Sequence, residues 1–267
     1  MTESTSFTSA IGIAERPSPR VHIVLPAFNE EGSLGGLLAR IALLADRQPL
    51  DVRVIDDGSS DRTVEVANGG PEHLDVRVVS HSVNRGLGQA VQTGLRTVLS
   101  DAHDDDVLVI MDADDTHDPE LIPAMVRAID DGADIAICSR FTPGGDDTTA
   151  PPFRRILSRG AALTFERVVK IDGVHDFTSG YRAYRVSLLR RAVGHYGERL
   201  VEEQGFACMV ELLMKLRHCN PQIAEIPLVL QYDRKQGASK LKLGKTMKQY
   251  LKLVVRENVS PAPYRQL

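Results

Sequence analysis

The sequence predicts an α/β protein with a doubly wound, mainly parallel sheet covered by helices on both faces. Three observations carry this. From Val21 onward, short β-branched apolar runs alternate with longer segments of helical period, the pattern of successive strand–helix units. No internal repeat accompanies the alternation. Each apolar run also ends in polar, charged or glycine-rich residues, as expected where ligands gather outside the carboxyl ends of parallel strands.

The elements follow in order. "VHIVLPAF" reads as a buried strand, and "SLGGLLARIALLA" as a helix with Leu34, Leu37, Leu38, Ile41 and Leu44 on one face. "DVRVID" is a second strand, and "SDRTVEVA" starts a helix behind a Ser/Asp cap. "DVRVVSH" is a third strand, followed by a helix that aligns Leu87, Val91, Leu95 and Val98. "DVLVIMD" is a fourth strand, and Asp118-Pro119-Glu120 opens the next helix, with Pro in its first turn. "ADIAICSRF" is a fifth strand. A long loop, "TPGGDDTTAPP", then breaks the rhythm. Beyond it come a basic helical segment, "FRRILSRGAALTFERVV", a helix in "EEQGFACMVELLMKLRH" and a strand in "AEIPLVLQY". Residues 1–19, rich in Ser and Thr and broken by Pro17 and Pro19, read as a flexible tail. Residues 20–256 read as one catalytic domain.

Composition narrows the function. With 267 residues, 42% hydrophobic and 25% charged, the chain can bury a substantial core. A net charge of -4 argues against a nucleic-acid binder. Cys138, Cys208 and Cys219 show no C-x-x-C spacing, which fits reduced thiols in a cytoplasmic setting. No apolar run reaches the roughly 18–20 residues needed to cross a bilayer.

The segment "VIMDADDTHDPE", Val109–Glu120, raises the sharpest question, because grouped carboxylates repel unless they serve a cation or a reaction. A calcium loop fails: its sixth and twelfth positions need Gly and Glu, and here they are His117 and Pro123. A phosphatase nucleophile of the D-x-D-x-T type belongs after the first strand, whereas this one follows the fourth. The third reading fits. Asp112 and Asp114, two residues apart at a strand end, point to the same side and can share one divalent ion. Their hard oxygen ligands suit Mg²⁺ or Mn²⁺, which needs few carboxylates when a diphosphate supplies the rest.

In order, "LPAFNEEGSL", "VIDDGSSDRT", "NRGLGQAVQTG", "MDADDTHDPELIPAMV" and "ICSRF" resemble the motifs of family-two glycosyltransferases, whose fold is the Rossmann-like GT-A type. "FRRILSRGA", "DFTSGYRAY", "GFACMVELL", "EIPLVL" and "DRKQGASKLK" resemble its dolichol- or polyprenyl-phosphate mannosyltransferase branch. The resemblance covers about residues 21–250. It implies inverting transfer of a hexose, mannose or glucose, from a GDP- or UDP-linked sugar to a lipid phosphate. It divides the domain into a nucleotide-sugar half (about 20–141), an acceptor half (about 142–240) and a basic amphipathic segment (241–256). It places Pro26, Phe28 and Glu30 around the nucleotide, Ile55 and Asp57 at the base and ribose, and Asp112, Ala113 and Asp114 at the metal and diphosphate. Thr116 stands where close relatives carry Gln, as a third metal contact. Arg140, Arg154 and Ser158 would face the acceptor phosphate, and Arg234 and Lys240 the donor diphosphate. Asp112, Asp114, Arg140 and Arg154 would thus be the catalytic set.

The residues themselves agree in part. Arg140, Arg154, Arg155 and Arg159 form a basic cluster suited to a phosphate. An anionic acceptor needs no general base, while a hydroxyl acceptor would, and Asp176 or Glu211 would then be candidates. Gly237, between Arg234 and Lys240, suits a closing loop. If residues 245–256 are helical, Lys245, Lys248, Lys252 and Arg256 share one face and Met247, Tyr250, Leu251 and Val254 the other. That layout fits a helix lying in the cytoplasmic membrane face, or one packing its apolar side on the domain. A homodimer is among the assemblies left open. The alternatives are an enzyme of the same family acting on a small soluble or cell-envelope acceptor, and a non-catalytic nucleotide-sugar-binding subunit.

Overall fold

The computed structural model describes residues 19–150, 152–169, 171–231, 234 and 243–259, though not every side chain in the helices at 152–169 and 243–259. The tail expected at residues 1–19 lies outside the described residues except for Pro19, as do Gly237 and Lys240 and the side chains of Arg154 and Lys245.

Seven strands form one sheet: β1 (Val21–Ala27), β2 (Leu50–Asp56), β3 (Val76–Ser80), β4 (Val107–Ile110), β5 (Ile135–Ser139), β6 (Arg182–Arg185) and β7 (Ile223–Pro227). Their order is β3-β2-β1-β4-β6-β5-β7. The pairs β1–β2, β2–β3, β1–β4 and β5–β7 are parallel; β6 runs antiparallel between β4 and β5. The chain order reverses between β1 and β4, and such a switch point opens a crevice at the carboxyl ends of the strands.

Helices cover both faces: α1 (Leu34–Ala45), α2 (Thr63–Asn68), α3 (Leu87–Leu99), α4 (Ile122–Asp130), α5 (Pro152–Val169), α6 (Val186–Tyr196), α7 (Ala207–Leu216) and α8 (Leu243–Val259). The central strands are buried on both sides, so β4 is apolar throughout and β1 apolar but for His22, while β2 and β6 carry the buried charges Asp51, Arg53 and Arg182. Period two nevertheless sorts their side chains. Ile23 and Leu25 of β1 and Val109 of β4 enter the layer formed with α1 and α4, while Val24, Leu108 and Ile110 enter the layer formed with α3, α6 and α7.

Helix α8 lies on this second layer. Leu253 is fully buried, Tyr250 meets Phe165 of α5 edge-on at 5.2 Å, and Val254 packs on the core. Arg256 binds Glu211 of α7, and Gln249 donates to Glu203 at 3.1 Å. The apolar face expected of this helix is therefore divided. Tyr250 and Val254 pack inward, whereas Met247 and Leu251 stay exposed beside Val255, Lys248 and Lys252.

Candidate active site

The site is assembled where the strands end. Backbone bonds tie these ends together: Asp57 N–H donates to the Ala27 carbonyl at 2.8 Å, His81 N–H to Asp56 at 2.8 Å and Met111 N–H to Val24 at 3.2 Å. After β1 the chain turns through Asn29, whose φ is 52°. Asn29 N–H donates to the Ser59 hydroxyl at 2.9 Å and Glu30 N–H to the Thr63 hydroxyl at 2.8 Å, so the ends of β1 and β2 form one cradle. Pro26, Phe28 and Glu30 are half-buried along it.

After β2 two aspartates divide the labour. Asp56 accepts from Ser59 N–H at 3.1 Å and closes the turn. Asp57 reaches the loop after β3. Its Oδ1 accepts from Arg85 N–H at 2.9 Å and from His81 Nδ1 at 2.7 Å, and its Oδ2 accepts from Gly86 N–H at 2.7 Å. The two turns touch so closely that Gly58 (φ 73°) has no room for a Cβ, which would lie 2.5 Å from the Val83 carbonyl carbon. Ile55 is fully buried and packs in the core. Gly88, at the start of α3, lets the 203–204 backbone pass, since a Cβ there would sit 1.8 Å from the Glu203 oxygen.

Beyond β4, Met111 and Ala113 are buried in the core and Asp112 and Asp114 lie between and after them. The Thr116 hydroxyl donates to Asp114 Oδ1 at 2.7 Å and orients that carboxylate. Asp112 N–H donates to His117 Nδ1 at 3.2 Å. That nitrogen must carry a lone pair, so the proton of a neutral His117 sits on Nε2. His117 stacks on Tyr181 at 4.9 Å, and the Tyr181 hydroxyl donates to the Asp118 carbonyl at 2.9 Å. Asp115 adopts φ 60° and turns away to Arg40 of α1, which also binds Asp118 at 2.9 Å. Burial pushes the Asp115 carboxyl above its ordinary value, against the charges of Arg40 and Arg234. Arg234 is the second of these charges. Its segment is fastened there, because Gln231 N–H donates to the Thr116 carbonyl at 3.1 Å and Arg234 N–H to Gln231 at 3.1 Å.

At the end of β5, Arg140 grips Asp176 with two 2.7 Å hydrogen bonds and shares Nη2 with the Thr178 hydroxyl at 2.7 Å. The Ser158 hydroxyl of α5 lies 3.5 Å from the same Thr178 oxygen. Asp176 is fully buried, which alone would raise its pKa, but the Arg140 charge and its hydrogen bonds bring it below the usual carboxylate value. The expected basic cluster is split. Arg155 and Arg159 pair with the buried Asp147 at 3.4 and 2.9 Å. Glu211 accepts from Glu202 and Glu203 N–H, from Lys215 and from Arg256, so it braces α7, α8 and the 202–203 loop.

The structure thus gathers Phe28, Glu30, Asp57, Asp112, Asp114, Thr116 and Arg234 around one set of strand ends, with Arg140 and Ser158 linked through Thr178. His81, Thr178, Tyr181 and Arg40 are contributors that motif spacing did not reveal.

The family model for glycosyl transferase family 2 matches residues 22–192. The chain belongs to glycosyl transferase family 2. This glycosyltransferase is 34% identical over 238 residues to a dolichol-phosphate mannosyltransferase of Pyrococcus furiosus, covering 89% of its own length and 63% of the relative's. It is 33% identical to a polyprenol monophosphomannose synthase of Mycolicibacterium smegmatis, covering 85% of its own length and 82% of the relative's. It is 34% identical to an undecaprenyl-phosphate mannosyltransferase of Micrococcus luteus, covering 84% and 88%. Among solved structures, glucosyl-3-phosphoglycerate synthase from Mycobacterium tuberculosis superposes with a TM-score of 0.68 at 21% identity, covering 91% of this glycosyltransferase and 81% of that chain. That likeness bears on the fold, which is the GT-A type.

Proposed function

We propose that this glycosyltransferase moves a hexose, mannose by preference, from a nucleoside diphosphate sugar to a polyprenyl-type lipid phosphate. The observation that carries the reading is the pairing at the end of β5. Arg140 is held in place by a buried Asp176 and linked through Thr178 to Ser158, which would orient the guanidinium and the two hydroxyls toward an anion. The names of the three relatives support a lipid phosphate as that anion. Asp176 and Glu211, the two candidate bases, are both spent on arginine, lysine and backbone donors. A phosphate acceptor needs neither as a base, because it is already ionised at neutral pH.

On the donor side, Asp112 and Asp114 would hold Mg²⁺ or Mn²⁺ together with the diphosphate. The fit rests on the donor set. Two carboxylates follow the end of the strand, one of them oriented by Thr116. Among the described residues no third His, Cys, Asp or Glu completes a protein cage, which suits a cation that takes its remaining ligands from phosphate oxygens. Such an ion supplies charge stabilisation to the departing diphosphate. Arg234 adds a second positive charge on the same side, Asp57 meets the base, and Phe28 stacks against it.

The acceptor reading is tested by Arg140→Lys, which keeps the charge but loses the planar fork. The expected result is an acceptor KM about tenfold higher with nucleotide Kd unchanged, the size of one charge-assisted hydrogen bond. Equal losses for both substrates would remove Arg140 from the acceptor site.

Peripheral membrane contact belongs to the same proposal. No helix among the described residues is long and apolar enough to cross a membrane. Helix α8 instead leaves Met247, Leu251 and Val255 exposed next to Lys248 and Lys252, and Ile156 of α5 is 70% exposed. Apolar side chains between lysines suit the boundary of an anionic bilayer. Each apolar side chain contributes on the order of 1 kcal/mol or more on burial, so replacing Met247, Leu251 and Val255 with Ser lowers vesicle binding by about 10²-fold. Cosedimentation with anionic vesicles at low salt measures this. Unchanged binding by the triple variant would discard α8 as the contact.

A further inference from the structure

We propose that His81 is a positioning residue for nucleobase recognition: it pins one oxygen of Asp57 so that the other reads a single N–H on the base. This rests on the reading of Asp57 as the base contact.

Asp57 is almost wholly enclosed, with its side chain 5% exposed. A carboxylate offers roughly four acceptor positions. Oδ1 uses two, for Arg85 N–H at 2.9 Å and His81 Nδ1 at 2.7 Å. Oδ2 uses one, for Gly86 N–H at 2.7 Å. One position remains, and it is on Oδ2. The ionised carboxylate can only accept, so His81 Nδ1 carries its proton. The far side of the ring is also held, with Nε2 2.9 Å from the Thr93 hydroxyl of α3. The ring is thus anchored at both nitrogens.

His81 has a different task from the two backbone amides. Arg85 and Gly86 N–H close the loop before α3, and they remain when His81 is changed. Among the described residues His81 supplies the one side-chain donor to Asp57. Without it Oδ1 keeps only the Arg85 amide and regains a free acceptor position, which ligand or water can take. Pinned, it presents one lone pair in one direction. Such a group accepts from the imide N–H of uracil or a ring N–H of guanine. It repels adenine and cytosine, whose matching ring nitrogens are themselves acceptors. A two-point clamp on guanine, which needs both oxygens, is closed to it.

The test measures Kd for GDP, UDP, ADP and CDP, each with Mn²⁺, on the full chain. Asp57→Ala should weaken the preferred nucleotide by about 10- to 100-fold, the range for a hydrogen bond to a charged group. His81→Leu should weaken it by about tenfold and narrow its margin over ADP and CDP. His81→Asn, whose amide nitrogen can occupy the Nδ1 position, should restore most of both. In the Asp57→Ala background His81→Leu should add nothing, because the two act as one unit. Should His81→Leu fail to fold, His81→Asn and Thr93→Val carry the test: near-native affinity in the first and a several-fold loss in the second are expected. If Asp57→Ala leaves Kd unchanged, the base reading of Asp57 is wrong and the proposal goes with it. If Asp57→Ala weakens binding but His81→Leu does not, or adds its loss in full to that of Asp57→Ala, only the role of His81 is overturned. Near-native affinity in Thr93→Val together with weak binding by His81→Asn would overturn it as well.

Discussion

Replacing either Asp112 or Asp114 with Ala abolishes transfer, with kcat down by at least about 10²- to 10³-fold, the scale of losing one preorganised electrostatic stabiliser. The fold persists. Asp112 lies at the rim of the core and its backbone bond to His117 does not involve the side chain. Asp114 gives up two hydrogen bonds from Thr116, one from its amide and one from its hydroxyl, each a loss of about 1 kcal/mol. Activity and stability therefore separate, which is the mark of a site residue. The effect arises because charge develops on the departing diphosphate, where two carboxylates would otherwise only repel it. On the proposed reading, they would hold a cation together with that diphosphate. Kinetics across a Mn²⁺ titration, with thermal unfolding measured alongside, check this. Full turnover by either variant in excess EDTA would eliminate the metal role.

Asp176→Ala gives the opposite signature, a large loss of stability. Asp176 is fully buried and accepts from Arg140, Thr178 and the Ser179 amide. Removing it strands the Arg140 charge and several donors, and breaking such a pair costs about 3–5 kcal/mol. Urea unfolding of the variant measures it, and a change below about 1 kcal/mol would show that the pair is worth no more than a surface contact. The same pair shapes acid stability. Burial works to raise the Asp176 pKa and Arg140 works more strongly to lower it, so the folded value lies below the unfolded one. Its contribution is complete above the unfolded value, about 3.9. It disappears as pH falls through the lower, folded value. Asp176→Asn, which cannot titrate, should flatten the acid limb of the stability curve between those two values. Its stability is lower than wild type at neutral pH and converges with it in strong acid.

How much of this was legible in the sequence depends on the range of the interactions. Elements fixed by local pattern stood out. The apolar runs of β1, β2 and β4 and the heptad-like spacing of Leu34, Leu38 and Ile41 follow from burial on one side or both. The acidic ends of β2 and β4 marked the crevice because polar residues behind apolar strands have few structural uses. Strand β6 was hidden. It is four residues long, contains the fully buried Arg182, and runs antiparallel to its neighbours. Its burial is possible because the Arg182 guanidinium donates to the Met209 and Phe177 carbonyls at 2.7 Å, partners that no spacing rule supplies. His81 was hidden for a similar reason, since its partner Asp57 lies 24 residues away, just after another strand. Basic residues after β5 looked like one cluster, yet Asp147 claims Arg155 and Arg159 and leaves Arg140 to Asp176. On α8 the helical period put Met247, Tyr250, Leu251 and Val254 on one face, but it left out Leu253, which is fully buried, and could not say which of the four meet the core. Phe165 settles it by taking Tyr250, and Met247 and Leu251 remain outside.

One measurement bears most directly on the central claim. The protein is incubated with Mn²⁺, GDP- or UDP-linked hexose and a short polyprenyl phosphate, and the products are read by mass spectrometry. The proposed reaction gives the lipid phosphate heavier by one hexose residue, dependent on the metal and lost in Asp112→Ala. No glycosylated lipid with any donor, alongside efficient glycosylation of a small water-soluble phosphate, would contradict it.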